Sequence, residues 1–118
     1  MPCEKISSYV DRILVIEEVD EAPYRVDRMF AQLKNSKTLK QVRALICGKF
    51  TKCDRATSAK PDLTIAQIMR DYAQIVPGPV LSNLQYGHVP IKLTIPFGLI
   101  ARVDSAKLSL EVLENAVT

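Results

Sequence analysis

The sequence predicts one mixed α/β domain, with helices laid against a sheet and a hairpin at its end. Three observations point there. Short β-branched apolar runs alternate with stretches of helical period, which is the pattern of a βαβ unit. Residues 107–112 switch to a strict two-residue alternation, the mark of a half-buried strand. The length of 118 residues suits a single domain. A chain of that size hides roughly two thirds of its unfolded surface, enough for a real core.

Taken in order, the first element is Arg12 to Glu17. Its run Ile13-Leu14-Val15-Ile16 reads as a buried, parallel strand. Asp20, Glu21 and Pro23 then signal a helix start, with acids near the positive end of the dipole and proline in the first turn. Val26, Met29, Phe30 and Leu33 follow at i, i+3, i+4 and i+7, so they share one face. Val42 to Cys47 is the next apolar strand, and the βαβ unit it completes calls for a right-handed crossover. Residues 50–63 have no apolar period and form a long loop. Thr64 opens a second helix, where Gln67 completes a capping box and Leu63 staples onto Ile68. Ile65, Ile68, Met69 and Tyr72 make its apolar stripe.

Pro77-Gly78-Pro79 ends that helix, and Val80-Leu81 starts a short strand. Residues 82–91 are loop-like, with Asn83, Gly87 and Pro90. Lys92 to Ile95 reads as extended, because a residue before proline avoids the helical region. Leu99 to Val103 and Lys107 to Leu113 are strands around an Asp104-Ser105 turn. In the last strand Leu108, Leu110 and Val112 alternate with polar residues and are expected on the buried face.

Composition excludes several classes of function. The chain is 47% hydrophobic and 25% charged, with a net charge of +3. Apolar content is too high and net charge too low for disorder. The basic excess is too mild to imply a nucleic acid or a membrane as partner. The apolar runs are far shorter than the roughly 18 residues a spanning helix needs. The start, Met1-Pro2-Cys3-Glu4-Lys5, has no basic lead into an apolar stretch, so it is not expected to act as a signal peptide. Cys3, Cys47 and Cys53 contain no C-x-x-C pair, so neither a disulfide framework nor a zinc site is expected. They read as free thiols, with Cys47 in the core. No metal and no cofactor is expected.

Two places could carry chemistry. Glu17 and Glu18 stand at the C-terminal end of the first strand, the edge where open α/β sheets build their sites. The plainer account is two solvated acids leaving a strand. Against it, Glu17 continues the inward alternation of an apolar strand, and a buried carboxylate needs a partner. His88 is the single histidine, held between Gly87, which permits a sharp turn, and Pro90, which stiffens the chain beyond it. A lone loop histidine is usually just solvated, yet a rigid loop is also how a general base is presented. A carboxylate and a histidine make two thirds of a hydrolytic triad.

Other motifs fail. Gly48-Lys49-Phe50-Thr51 lacks the upstream glycine of a phosphate loop and has Phe50 where Ser or Thr should follow the lysine. No G-x-S-x-G places a serine on a nucleophile elbow. Tyr24, Arg25 and Arg28 could hold a substrate carboxylate, but surface groups on a helix describe them as well.

The stretch Ile13-Leu14-Val15-Ile16-Glu17-Glu18-Val19-Asp20-Glu21-Ala22-Pro23-Tyr24-Arg25-Val26-Asp27-Arg28-Met29 resembles the opening of the C-terminal domain of LD-carboxypeptidases. These are muramoyltetrapeptide carboxypeptidases, a family that includes microcin C self-immunity peptidases. Ala44 to Thr51, Pro79-Val80-Leu81 and Tyr86 to Gly98 fit in the same order. The resemblance implies a swivelling β/β/α fold, a mixed sheet with two main helices and the C-terminal hairpin. It implies a serine peptidase with a Ser-Glu-His triad, in which Glu17 and His88 match the glutamate and the histidine. The serine belongs to a separate N-terminal domain, so residues 1–118 are expected to be the C-terminal domain alone and inactive alone. The substrate implied is a murein tetrapeptide, cleaved before its terminal D-alanine, in the bacterial cytoplasm. The exposed edge of the first strand offers a second copy a pairing surface, and with it a homodimer. The rival readings are a non-catalytic α/β binding module, a microcin-type immunity peptidase and a phosphohistidine carrier. The last lacks its usual small residues before the histidine, where Gln85-Tyr86-Gly87 stands.

Overall fold

The computed structural model describes residues 9–54, 63–90 and 94–114. In chain order the elements are β1 (Ile13–Val19), α1 (Pro23–Asn35), α2 (Thr38–Gln41), β2 (Ala44–Thr51), α3 (Ile65–Ala73), β3 (Val80–Leu81), β4 (Ala101–Asp104) and β5 (Ser109–Val112). β1, β2 and β3 form a parallel sheet with β2 in the middle. β4 and β5 pair antiparallel as a separate hairpin. This is the mixed α/β class that the sequence predicts, with a parallel βαβ unit at its centre.

The central strand is the most buried because it must be apolar on both faces. Ala44 to Gly48 are all buried, whereas β1 is half-buried along its length. Leu14, Ile16, Leu45 and Cys47 join a core with Val26 and Phe30 of α1 and Ile65 and Ile68 of α3. Within it the Phe30 ring stacks on Tyr72 at 5.2 Å and on Phe50 at 6.4 Å. The Tyr72 hydroxyl donates to the Asp27 carbonyl at 3.3 Å, which ties α3 to α1. Burial pushes the Cys47 thiol up to about 12, as expected of a core cysteine. Ile13, Val15 and Ala44 face the other way and line a cleft of 670 Å³, shared with Phe97, Ile100 and Leu110 from the hairpin side.

Register is regular until Ile16 pairs with Cys47; the next pair is Glu18 with Phe50. β2 thus spends three residues where β1 spends two, a bulge over Gly48 and Lys49. The extra residue changes parity. Phe50 therefore packs on the same core as Cys47, three positions earlier.

The helix ends differ from the sequence reading in detail. α1 starts at Pro23 after Ala22, with no side-chain cap; Asp20 and Glu21 precede the first turn rather than occupying it. Met29 lies at the rim of the apolar stripe and is exposed, whereas Val26 and Phe30 are buried. The short helix α2 was not expected; Lys37, at φ 65°, turns the chain into it. β2 begins two residues later than Val42 and runs four beyond Cys47. At α3 the Thr64 hydroxyl accepts from the Gln67 N–H at 3.1 Å, but the Gln67 side chain turns to Asp71 at 2.8 Å instead of closing the box. Asp54 supplies a second cap, accepting from the Ile65 N–H at 2.9 Å.

One expectation is overturned in the hairpin. Leu108 does not face inward with Leu110 and Val112; it sits in the turn at φ 50° and is 78% exposed. The turn is longer than Asp104-Ser105 because the Asp104 carboxylate accepts from both the Ala106 and Lys107 N–H, at 2.9 and 3.2 Å. β5 therefore begins only at Ser109. Of the extended stretch Lys92 to Ile95, residues 92–93 lie outside the described residues, and Thr94 and Ile95 form no strand. Most of the long loop, 55–62, also lies outside them.

Candidate active site

The parallel arrangement sends the C-terminal ends of β1, β2 and β3 to one edge of the sheet, where open α/β sheets place their sites. Glu17 is the third residue from the end of β1, beside the bulge. His88 follows β3 on a loop that keeps hydrogen-bonding to β2 after the strand itself has ended. The Leu84 N–H donates to the Cys47 carbonyl at 3.1 Å, and the Lys49 N–H to the Tyr86 carbonyl at 2.8 Å. The Thr51 hydroxyl then donates to the His88 carbonyl at 3.0 Å. Further out, the Lys49 ammonium reaches the Asn83 carboxamide oxygen at 2.6 Å, with Asn83 itself turned at φ 65°. The loop is therefore laid along β2 residue by residue.

That path brings His88 Nδ1 to 2.9 Å from Glu17 Oε2, across 71 residues of sequence. An ionised carboxylate only accepts, so Nδ1 carries the hydrogen, and in the neutral ring Nε2 is left with its lone pair. The Glu17 side chain is 23% exposed and that of His88 is 61% exposed. A sheltered acid thus holds one nitrogen of a ring that stands mostly open to whatever approaches. Glu18 takes no part in this contact: its carboxylate folds back and accepts from the Val19 N–H at 2.9 Å.

Two glycines make the approach possible. Gly87 has φ 120°, a backbone that L side chains rarely adopt. A methyl group there would stand 2.9 Å from Glu17 Oε2 and 3.1 Å from its Cβ. At Gly48 a methyl group would stand 2.6 Å from the Tyr86 carbonyl oxygen, inside the hydrogen bond to Lys49 N–H. The sequence singles out Gly87, whereas Gly48, Lys49 and Thr51 stand in it as a failed phosphate loop and as part of a stretch with the family resemblance, without a role of their own. The signal was present as the small and polar residues Gly48, Lys49 and Thr51 ending a strand that begins as an apolar run.

The remaining candidates lie elsewhere. Tyr24, Arg25 and Arg28 form a surface cluster at the start of α1, with both guanidinium groups 5.9 Å from the Tyr24 ring centre. The hydrogen bond from Arg25 holds the Tyr24 phenol below its ordinary range and raises Arg25 in turn. Arg25 also pairs with Glu21 at 3.8 Å. Among the described residues no group of three or more His, Cys, Asp or Glu side chains gathers as a metal site would require. Among them too, no helix is long and apolar enough to cross a membrane.

Comparison with known proteins agrees with this architecture. Residues 2–103 match the LD-carboxypeptidase C-terminal domain, and the chain belongs to that family. A Synechocystis protein named as a carboxypeptidase is 36% identical over 92 residues, which are 78% of this chain and 30% of that protein. The murein tetrapeptide carboxypeptidase of Pseudomonas aeruginosa is 32% identical over 96 residues, 81% of this chain and 30% of that protein. Among solved structures, muramoyltetrapeptide carboxypeptidase from Oxalobacter formigenes superposes with a TM-score of 0.59 at 30% identity, over 68% of this chain and 28% of its own. The microcin C7 self-immunity protein shares the fold, with a TM-score of 0.80 at 24% identity, over 93% of this chain and 32% of its own. The chain thus spans about 30% of the length of the curated relatives it matches.

Proposed function

We propose that this domain supplies the glutamate and the histidine of a Ser-Glu-His peptidase that removes the terminal D-alanine from murein tetrapeptides. The observation that carries the reading is the 2.9 Å contact between Glu17 Oε2 and His88 Nδ1 under a largely exposed ring. The substrate class rests on the family and on relatives named as murein peptide carboxypeptidases.

In this reading Glu17 fixes the ring tautomer and its orientation. Nε2 takes the proton from a serine hydroxyl as that oxygen attacks the scissile carbonyl. The imidazolium that forms is balanced by Glu17. Nε2 then returns the proton to the nitrogen of the departing D-alanine, and a water repeats the cycle on the acyl-enzyme. The serine and its oxyanion donors come from a separate domain, in the part of the relatives' length that these residues do not match. Cell-wall recycling in the bacterial cytoplasm is the setting this reaction implies.

The test is release of D-alanine from a murein tetrapeptide by the protein that carries this domain beside a serine-bearing one. Turnover is expected there and none from residues 1–118 alone. Glu17→Gln and His88→Ala should each cut kcat at least about a hundredfold while the fold persists. Full activity in either variant, or turnover by the 118-residue chain without help, would remove the assignment.

A further inference from the structure

We propose that Thr51 is a positioning residue, the staple that joins the two segments carrying Glu17 and His88; this rests on the proposed role of that pair. Thr51 ends β2 and pairs with Val19 of β1, two residues beyond Glu17. Its carbonyl accepts from the Asp20 N–H at 2.8 Å, which holds the turn leaving β1. Its hydroxyl donates to the carbonyl of His88 itself at 3.0 Å. One residue thus grips both segments: the first through its backbone, the second through its side chain.

The hydroxyl grip matters because of where the loop is otherwise held. Its backbone bond to β2 at Tyr86 lies two residues before His88, and Gly87, the least restrained residue type, stands between. Gly87 at φ 120° directs His88 toward Glu17, but nothing in glycine itself prevents rotation. Fixing the carbonyl on the far side of the His88 Cα removes that freedom and sets the direction of the imidazole. A ring displaced by about 1 Å loses much of a catalytic geometry, on the order of a hundredfold in the strongest cases.

The chain offers a direct readout, because His88 is its single histidine. Long-range ¹H–¹⁵N correlation spectra of the imidazole report which ring nitrogen carries the hydrogen, and the hydrogen bond to Glu17 selects Nδ1–H. Thr51→Val keeps the shape and removes the hydroxyl; Thr51→Ser keeps the hydroxyl and removes the methyl. The expected result is a dominant Nδ1–H form in the wild-type chain and in Thr51→Ser, with at least a threefold smaller ratio of Nδ1–H to Nε2–H in Thr51→Val. In the assembled peptidase Thr51→Val should lower kcat about tenfold with KM unchanged, and Thr51→Ser should restore most of it. A Thr51→Val chain with a wild-type imidazole spectrum overturns the staple and leaves the Glu17–His88 pair standing. A wild-type chain whose spectrum is indifferent to Glu17→Gln overturns the pair, and the staple with it.

Discussion

Gly87 concentrates the residue-scale physics of the site. It provides a positive φ that carries the chain past Glu17, and it leaves unfilled the space a methyl group would take. Gly87→Ala should therefore act twice. Holding a non-glycine residue in such a conformation costs about 1–3 kcal/mol. The added carbon also meets the Glu17 carboxylate and stem, so the acid or the loop must yield. Urea denaturation should show that loss of stability, and the imidazole spectrum should lose its Nδ1–H preference. An alanine variant that matched wild type in both would mean that the loop has other room. Glu18 makes the complementary point. It carries the same charge one position on, yet a strand points successive side chains to opposite faces, and its carboxylate caps a neighbouring N–H instead.

Elements position those residues, and α3 is held in place by more than its own sequence. Two side chains cap it: Thr64, the local cap, and Asp54, which reaches the Ile65 N–H across 11 residues. Each replacement by alanine should lower stability by about 1 kcal/mol, read as a shifted urea midpoint at constant slope. The effect should be global, because Ile65 and Ile68 bring α3 into the common core. No shift for Asp54→Ala would assign its cap to the helix end only. Local signals were readable in the sequence: the apolar runs of β1 and β2 and the Thr64 hydroxyl cap; α3 itself stops at Ala73, ahead of Pro77-Gly78-Pro79. Signals set by tertiary context were not. The bulge over Gly48 and Lys49 was marked only by a glycine within the strand, which does not say that Phe50 returns to the core. Leu108 looked inward by alternation, but the Asp104 carboxylate lengthened the turn and put it in solvent. Glu17 and His88 were legible as types at an edge and in a stiff loop. Their approach depends on the hydrogen bonds laid down along β2, which no spacing encodes.

At the scale of the molecule, stability is unevenly spread. The buried apolar side chains of the described residues lie between Pro23 and Val76, on α1, α2, β2 and α3 and the segments beside them. β4 and β5 contribute none of them, and they pair only with each other. On the hairpin side Phe97 is 68% and Ile100 61% exposed, and the cleft between the hairpin and β1 stays open. The hairpin is therefore fastened by its own ladder, by the Leu113 N–H to the Ile100 carbonyl at 2.8 Å, by the Ile100 N–H to the Glu114 carboxylate at 3.1 Å and by an exposed Arg102–Glu111 pair at 3.8 Å, while Phe97 ahead of it meets the Tyr86 ring edge-on at 6.3 Å. An exposed ion pair of that kind contributes at most about 1 kcal/mol, and a two-stranded hairpin is only marginally stable by itself. The Glu17–His88 contact sits on the other side of this division, on the parallel sheet and the loop laid along β2. Opening the hairpin should leave that contact in place. Native-state hydrogen exchange should resolve the two parts. Amides of Ala101–Asp104 and Ser109–Val112 should exchange through a low-energy opening with little dependence on denaturant. Those of Leu45, Ile46 and Cys47 should exchange only through global unfolding. If the hairpin amides merged with the β2 amides at every denaturant concentration, the chain would be one cooperative unit, and the cleft would be far better packed in solution than its open shape allows.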